Sequence, residues 1–158
     1  MQKLLLMFLI LFIAGCTKSS DKTAEADGVS DAYNAALAKT LGADKYGMRK
    51  YVMAFLKAGP NRTEDPAAAV RLQNAHLENI RRMAKEGKLV LAGPFLDDGD
   101  LRGIYIFNVP TIEEARELTE TDPAIKAGQL TLELHPWYGS AALVKVNSIH
   151  KKLSKTPM

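Results

Sequence analysis

An α+β fold laid out in the order β-α-β-β-α-β is what this sequence predicts, and three observations carry the prediction. Short apolar runs rich in β-branched and aromatic residues alternate along the chain with amphipathic stretches of helical spacing. Two Asp-Pro steps, Asp65-Pro66 and Asp122-Pro123, have the form of a helix cap followed by proline at the first helical position. The chain has 158 residues, 47% hydrophobic and 25% charged, a single-domain length and too apolar a composition for disorder.

The elements follow in order. Asp31 is placed to cap a short alanine-rich helix over 32–41 that Gly42 ends. The run Tyr51-Val52-Met53-Ala54-Phe55-Leu56, within 49–57, reads as a buried strand stopped by Gly59-Pro60. From Asp65-Pro66 a helix runs to Gly87, with Val70, Leu72, His76, Leu77, Ile80, Met83 and Ala84 recurring at helical spacing. Residues 89–95 and 103–109 form a hairpin around the acidic turn Asp97-Asp98-Gly99-Asp100. A second helix starts at Pro110-Thr111, where Glu113 and Glu114 suit the positive end of its dipole, and buries Ile112, Ala115 and Leu118. Asp122-Pro123 starts one more short turn that Gly128 ends, and residues 130–137 alternate as a fourth strand.

Right-handed crossovers then favour a four-stranded antiparallel sheet with both helices on one face, the ferredoxin-like arrangement. A sheet face open to water should show polar residues at alternate positions. Residues 51–56 and 104–107 are apolar on both faces. Something must cover the second face. A second copy of the same sheet, giving a dimeric α/β-barrel, is the simplest cover, and the stretch 141–152 is the alternative.

The N-terminus carries an address. Lys3 precedes an apolar run over 4–13, closed by Ile13-Ala14-Gly15-Cys16. The run is far short of the roughly 20 residues that span a bilayer, so it reads as a signal-peptide core. The pattern resembles a bacterial lipobox, which implies acylation of Cys16 and anchoring at the cell envelope outside the cytoplasm; an ordinary signal peptide is the alternative. The organisation expected is a signal peptide at 1–15, a polar tether at 16–30, a helical extension at 31–47, the sheet domain at 48–140 and a C-terminal extension at 141–158.

The segment from His76 through Gly87-Lys88-Leu89-Val90-Leu91-Ala92-Gly93-Pro94-Phe95, the acidic turn, and Glu113-Glu114-Ala115 with Asp122-Pro123 resemble the YCII-related (YciI-like) domain family across about 51–137. The tail Trp137-Tyr138-Gly139-Ser140-Ala141-Ala142-Leu143 resembles a lipoprotein-bearing branch of it. The resemblance implies a ferredoxin-like fold, a homodimer of the α/β-barrel type, and a His–Asp pair in a pocket. By motif position that pair falls on His76 and Asp122.

Read from the residues alone, His76 shares the inward stripe of Leu72 and Ile80, where a neighbouring carboxylate would fix its tautomer for general-base work. A structural histidine bonded to backbone fits the same position. Asp122 is equally a helix cap and an orienting partner. His135 is in phase with Thr131 and Glu133 and opposite Leu132 and Leu134, so it and Trp137 are candidate ligand contacts on the open face, or packing residues there. Asn61 and Arg62, just past the first strand, read as a surface loop with an anionic contact as the alternative.

Several function classes fall away. A net charge of +3 from 21 basic and 18 acidic residues, with 7% aromatics not interleaved among basic runs, gives no nucleic-acid surface. One cysteine excludes an internal disulfide and a cysteine-based zinc site. The acidic turn lacks the longer calcium-loop pattern. No phosphate loop, His-Glu-x-x-His or Gly-x-Ser-x-Gly occurs. The expectation is therefore a lipid-anchored domain that binds a small molecule, with no metal and no cofactor. Its chemistry would be elimination, isomerisation or hydrolysis by His76 and Asp122. The alternative is a non-catalytic envelope module for ligand binding or assembly.

Overall fold

The structure, a computed structural model, describes residues 32–156. The expected signal peptide, Cys16, the tether and Asp31 lie outside the described residues.

The described chain runs α1 (Ala35–Leu41), β1 (Met48–Ala58), α2 (Pro66–Lys85), β2 (Leu89–Pro94), β3 (Leu101–Phe107), α3 (Ile112–Thr119), α4 (Pro123–Lys126), β4 (Leu130–Ser140), a 3₁₀ turn (Ala141–Lys145) and α5 (Val146–Leu153). The strands form one antiparallel sheet in the order β2-β3-β1-β4, the ferredoxin-like βαββαβ arrangement that the pattern predicts. No described helix is long and apolar enough to cross a membrane.

Local chemistry sets the boundaries. The Asp65 and Asp122 side chains accept from the N–H groups of Ala67 and Ala124, so both Asp-Pro steps are helix starts. Thr111 caps α3 in the same way, with Glu113 and Glu114 in the first turn. The first helix differs from expectation. It begins at Ala35 and not at residue 32, with Asn34 supplying the capping oxygen, bonded to the N–H of Leu37 at 2.9 Å. β4 also runs three residues beyond the predicted end, through Ser140, in full register with β1. Pro136 is tolerated there because β4 is an edge strand, where a missing N–H costs no ladder bond.

The two sheet faces are distinct. Val52, Ala54 and Leu56 of β1 and Tyr105 and Phe107 of β3 form the main core with Met83, Ala115 and Val109, and Leu130, Leu132 and Leu134 pack against it. Burying each of these large side chains contributes about 1.5–3 kcal/mol. Tyr51, Val90 and Ile106 form a second cluster on the opposite face, joined by Met53, Leu91, Trp137, Leu143 and Val144. The register shift between Leu89 and Leu91 puts both Val90 and Leu91 in that second cluster. Leu143 and Val144 come from the C-terminal segment, so one end of the second face is covered within the chain. Phe55 and Ile104 stay half-buried there.

Candidate functional site

His76 and Asp122 meet between α2 and the start of α4. The pair forms because α2 turns His76 toward the sheet and because Asp122, in capping α4, stands at the helix entrance facing it. Asp122 is fully buried and His76 is 8% exposed. His76 Nδ1 lies 2.7 Å from Asp122 Oδ2, while Asp122 Oδ1 accepts from the N–H of Ala124 at 2.9 Å. One carboxylate thus serves both as cap and as histidine partner. A charge removed from water needs such compensation, since an unpaired buried carboxylate is strongly destabilising.

Tyr105, from the centre of the sheet, completes the group. Its hydroxyl is 3.3 Å from His76 Nε2 and 3.5 Å from Asp122 Oδ2, and the two rings stack at 6.3 Å. The network assigns the proton of neutral His76 to Nδ1, donating to Asp122, which leaves the Nε2 lone pair to accept from the tyrosine hydroxyl. Burial, reinforced by the Asp122 charge, pushes the Tyr105 phenol far above its usual range. Tyr105 therefore stands as a neutral donor.

A clamp lies beside this trio. Arg82 donates to Asn79 Oδ1 at 2.9 Å and to Thr121 Oγ1 at 2.8 Å, and its other nitrogen pairs with Glu86. α2 is thereby fastened to the segment that carries Asp122. Next to the trio along α2 is an open cleft of about 500 Å³, lined by Leu72 and Ala75, Arg62 and Arg71, Asn61 and Gln129. Leu72 is one turn from His76 and Ala75 adjoins it. None of His76, Asp122 and Tyr105 lines the cleft itself. The Asn61 N–H donates to the carbonyl of Gly128 at 3.0 Å and its side chain to that of Ala127 at 3.3 Å, which holds the loop after β1 against the turn after α4.

The other two candidates stand on the far face of the sheet. His135 is exposed, with Nε2 3.0 Å from Glu133 Oε1 and its ring edge-on to Phe55 at 5.7 Å. Lys57 pairs with the same Glu133, and both contacts hold the Glu133 carboxyl below its usual range, the lysine foremost. Trp137 packs on Tyr51 at 5.8 Å, with its indole lying over Gly139, where a Cβ would meet the ring at 2.2 Å. The sheet separates both residues from His76, so within one chain they do not share its site. Tyr105 is the site residue that sequence reasoning passed over. Its signal was there: it alternates with Ile104 and Ile106, in phase with Phe107, and a buried tyrosine hydroxyl needs a partner. Among the described residues no three His, Cys, Asp or Glu side chains are grouped to hold a metal ion.

Fold and site together define a helix-backed four-stranded domain with a histidine–carboxylate pair closed by a tyrosine. The YCII-related domain matches residues 50–137, and the chain belongs to that family. Among curated proteins it is similar to YjpA, an uncharacterized protein of Bacillus subtilis (strain 168), at 32% identity over 62 residues, covering 39% of this chain and 71% of that protein. Among solved structures it is similar to 5-chloro-2-hydroxyhydroquinone dehydrochlorinase (TftG) from Burkholderia phenoliruptrix AC1100, in complex with 2,5-dihydroxybenzoquinone. That likeness has 21% identity and a TM-score of 0.41, over 54% of this chain and 92% of the other.

Proposed function

We propose that this YCII-related protein binds a small molecule at the cleft beside α2, whose wall residues Leu72 and Ala75 adjoin His76 along the helix, and that the molecule reaches past them to His76 for acid–base chemistry. The observation that carries the reading is the 2.7 Å contact of His76 Nδ1 with Asp122 Oδ2. A carboxylate on Nδ1 fixes the tautomer, stabilises the imidazolium that forms, and leaves Nε2 as the proton-accepting nitrogen. His76 is the base and Asp122 its orienting partner. Tyr105 holds Nε2 until a substrate group takes its place and stays a neutral hydrogen-bond donor, while the imidazolium formed at His76 returns the proton it took in the second half of the reaction. Proton transfer of this kind contributes about 10²–10⁴-fold, with positioning supplying the rest. Elimination, isomerisation and hydrolysis all fit this demand.

The lipobox at Ile13-Ala14-Gly15-Cys16 supports placement of the domain at a bacterial cell envelope, tethered by lipid on Cys16. The apolar surface around Met53, Phe55 and Ile104 supports pairing with a second copy through the far face of the sheet. His135 and Trp137 would then lie at that interface.

A specific observation favours a second reading. The His76 side chain is 11% exposed and its Nε2 is already engaged by Tyr105, which suits a polar knot that stiffens a non-catalytic ligand-binding or assembly module. The test begins with mass spectrometry of small molecules bound to natively purified protein. Turnover of the molecule found is then compared between wild type and His76→Gln. Loss of turnover in a folded variant supports acid–base catalysis; unchanged turnover leaves the module.

A further inference from the structure

We propose that the groove between α2 and α5 is a second ligand site, one that takes an amphipathic organic monoanion such as a medium-chain carboxylate. The groove encloses about 490 Å³, within the range of about 300–1,000 Å³ that small-molecule sites occupy. Its floor is apolar: Ile80 and Ala84 of α2, Leu89 and Leu91 of β2, and Val146 of α5. Leu91 and Ala84 are only half-buried, so the floor faces the opening.

The rim has one sign of charge. Lys85 and Lys151 line it with Arg81, beside His150, and no acidic residue does. Among the described residues neither Lys85 nor Lys151 is paired with a carboxylate. The opposite wall is fixed in place. Asn147 Nδ2 donates to the carbonyl of Leu89 at 2.7 Å, pinning α5 to the outer edge of β2. An apolar body laid on the floor with its carboxylate among the rim cations satisfies both halves of the groove. A neutral oil would leave the cations unused, and a cation would be repelled. None of His76, Asp122 and Tyr105 lines the groove, so this site stands apart from the one proposed above.

The experiment uses the full chain held in phosphatidylcholine nanodiscs, with the methyl signals of Ala84 and Leu91 as reporters. Titration with octanoate should move both signals to saturation, with octyltrimethylammonium at least about tenfold weaker. Lys85→Glu combined with Lys151→Glu should weaken octanoate at least about tenfold and remove the preference. Both substitutions lie at exposed positions, so the double variant keeps the fold. Absence of saturation, equal response to the ammonium, or an unchanged double variant would overturn the proposal. So would a shift of both signals on exchange to phosphatidylglycerol nanodiscs without octanoate, because the occupant would then be a lipid surface.

Discussion

The hydroxyl of Tyr105 stands 3.3 Å from Nε2 of His76 and closes the one ring nitrogen that Asp122 does not hold. The contact ties the middle of the sheet to the helix packed over it. It makes β3, and not only the two helical segments, part of the site. The arrangement is asymmetric: the Nδ1 contact is short and charged, whereas the Nε2 contact is longer and neutral. A ligand competing for this histidine therefore meets least resistance at Nε2.

Tyr105→Phe should lower stability by about 0.5–1.5 kcal/mol, the usual net worth of one hydrogen bond, with the urea midpoint falling at an unchanged m-value. The same variant tests the alkaline limb. Burial raises the phenols of both Tyr105 and Tyr51 above their usual range. Unfolded phenols ionise near about pH 10, so above that pH the unfolded chain binds fewer protons than the folded one and stability falls as pH rises; below it the contribution is complete. Urea midpoints compared at about pH 9 and about pH 11 should show a shallower decline in Tyr105→Phe than in wild type.

Asp122→Ala and Asp122→Asn should separate the two tasks of this side chain. Alanine removes the cap of α4, worth about 1 kcal/mol, and also strips a buried pair of one partner, typically about 3–5 kcal/mol. Asparagine keeps an oxygen for the Ala124 N–H and a polar group for His76, so its loss should be less than half as large. Denaturant unfolding at neutral pH measures both.

Gly103→Ala should be costly for a reason unrelated to chemistry. A Cβ at this buried position would sit 2.6 Å from the carbonyl oxygen of Gly93 in the neighbouring strand. The atoms it would meet are all backbone of Gly93 and Pro94, which cannot swing aside as a side chain can, and overpacking of this kind costs about 1–3 kcal/mol. The thermal midpoint should fall by several degrees, with a larger fall for Gly103→Val.

Phe55→Glu should turn a dimer into a monomer if the far face of the sheet pairs with a second copy. The residue is half-buried beside His135 and projects away from the main core. Sedimentation velocity of wild type and variant reads the change directly. A wild type that already sediments as a monomer removes the pairing.

Much of the fold was legible in residues whose local chemistry leaves few choices. The Asp-Pro steps at 65 and 122 fix two helix starts, and the alternation of Leu130, Leu132 and Leu134 fixes which face of β4 meets the helices. Elsewhere two equally good local signals competed. Asp31 and Asn34 both have the chemistry of a cap, and the helix starts after the second. Val90 escapes a strict period because the register shift in β2 turns it to the far face. The pairing of His76 with Asp122, 46 positions apart, came from family resemblance; periodicity gave only the inward face of His76. Tyr105 was hidden inside an apolar run, where its hydroxyl counts for nothing until the partner above it is known. The division of the candidates between two faces was visible in strand parity, but that His135 and Trp137 lie beyond reach of His76 follows only from the assembled sheet.

The proposed holding of His76 by Asp122 in the tautomer that offers Nε2 as the base is tested most directly by long-range ¹H–¹⁵N correlation of the His76 imidazole at neutral pH. Wild type should carry a proton on Nδ1 and leave Nε2 unprotonated, with that preference lost in Asp122→Asn. A proton on Nε2 in the wild-type protein, or a spectrum indifferent to the Asp122 substitution, would contradict it.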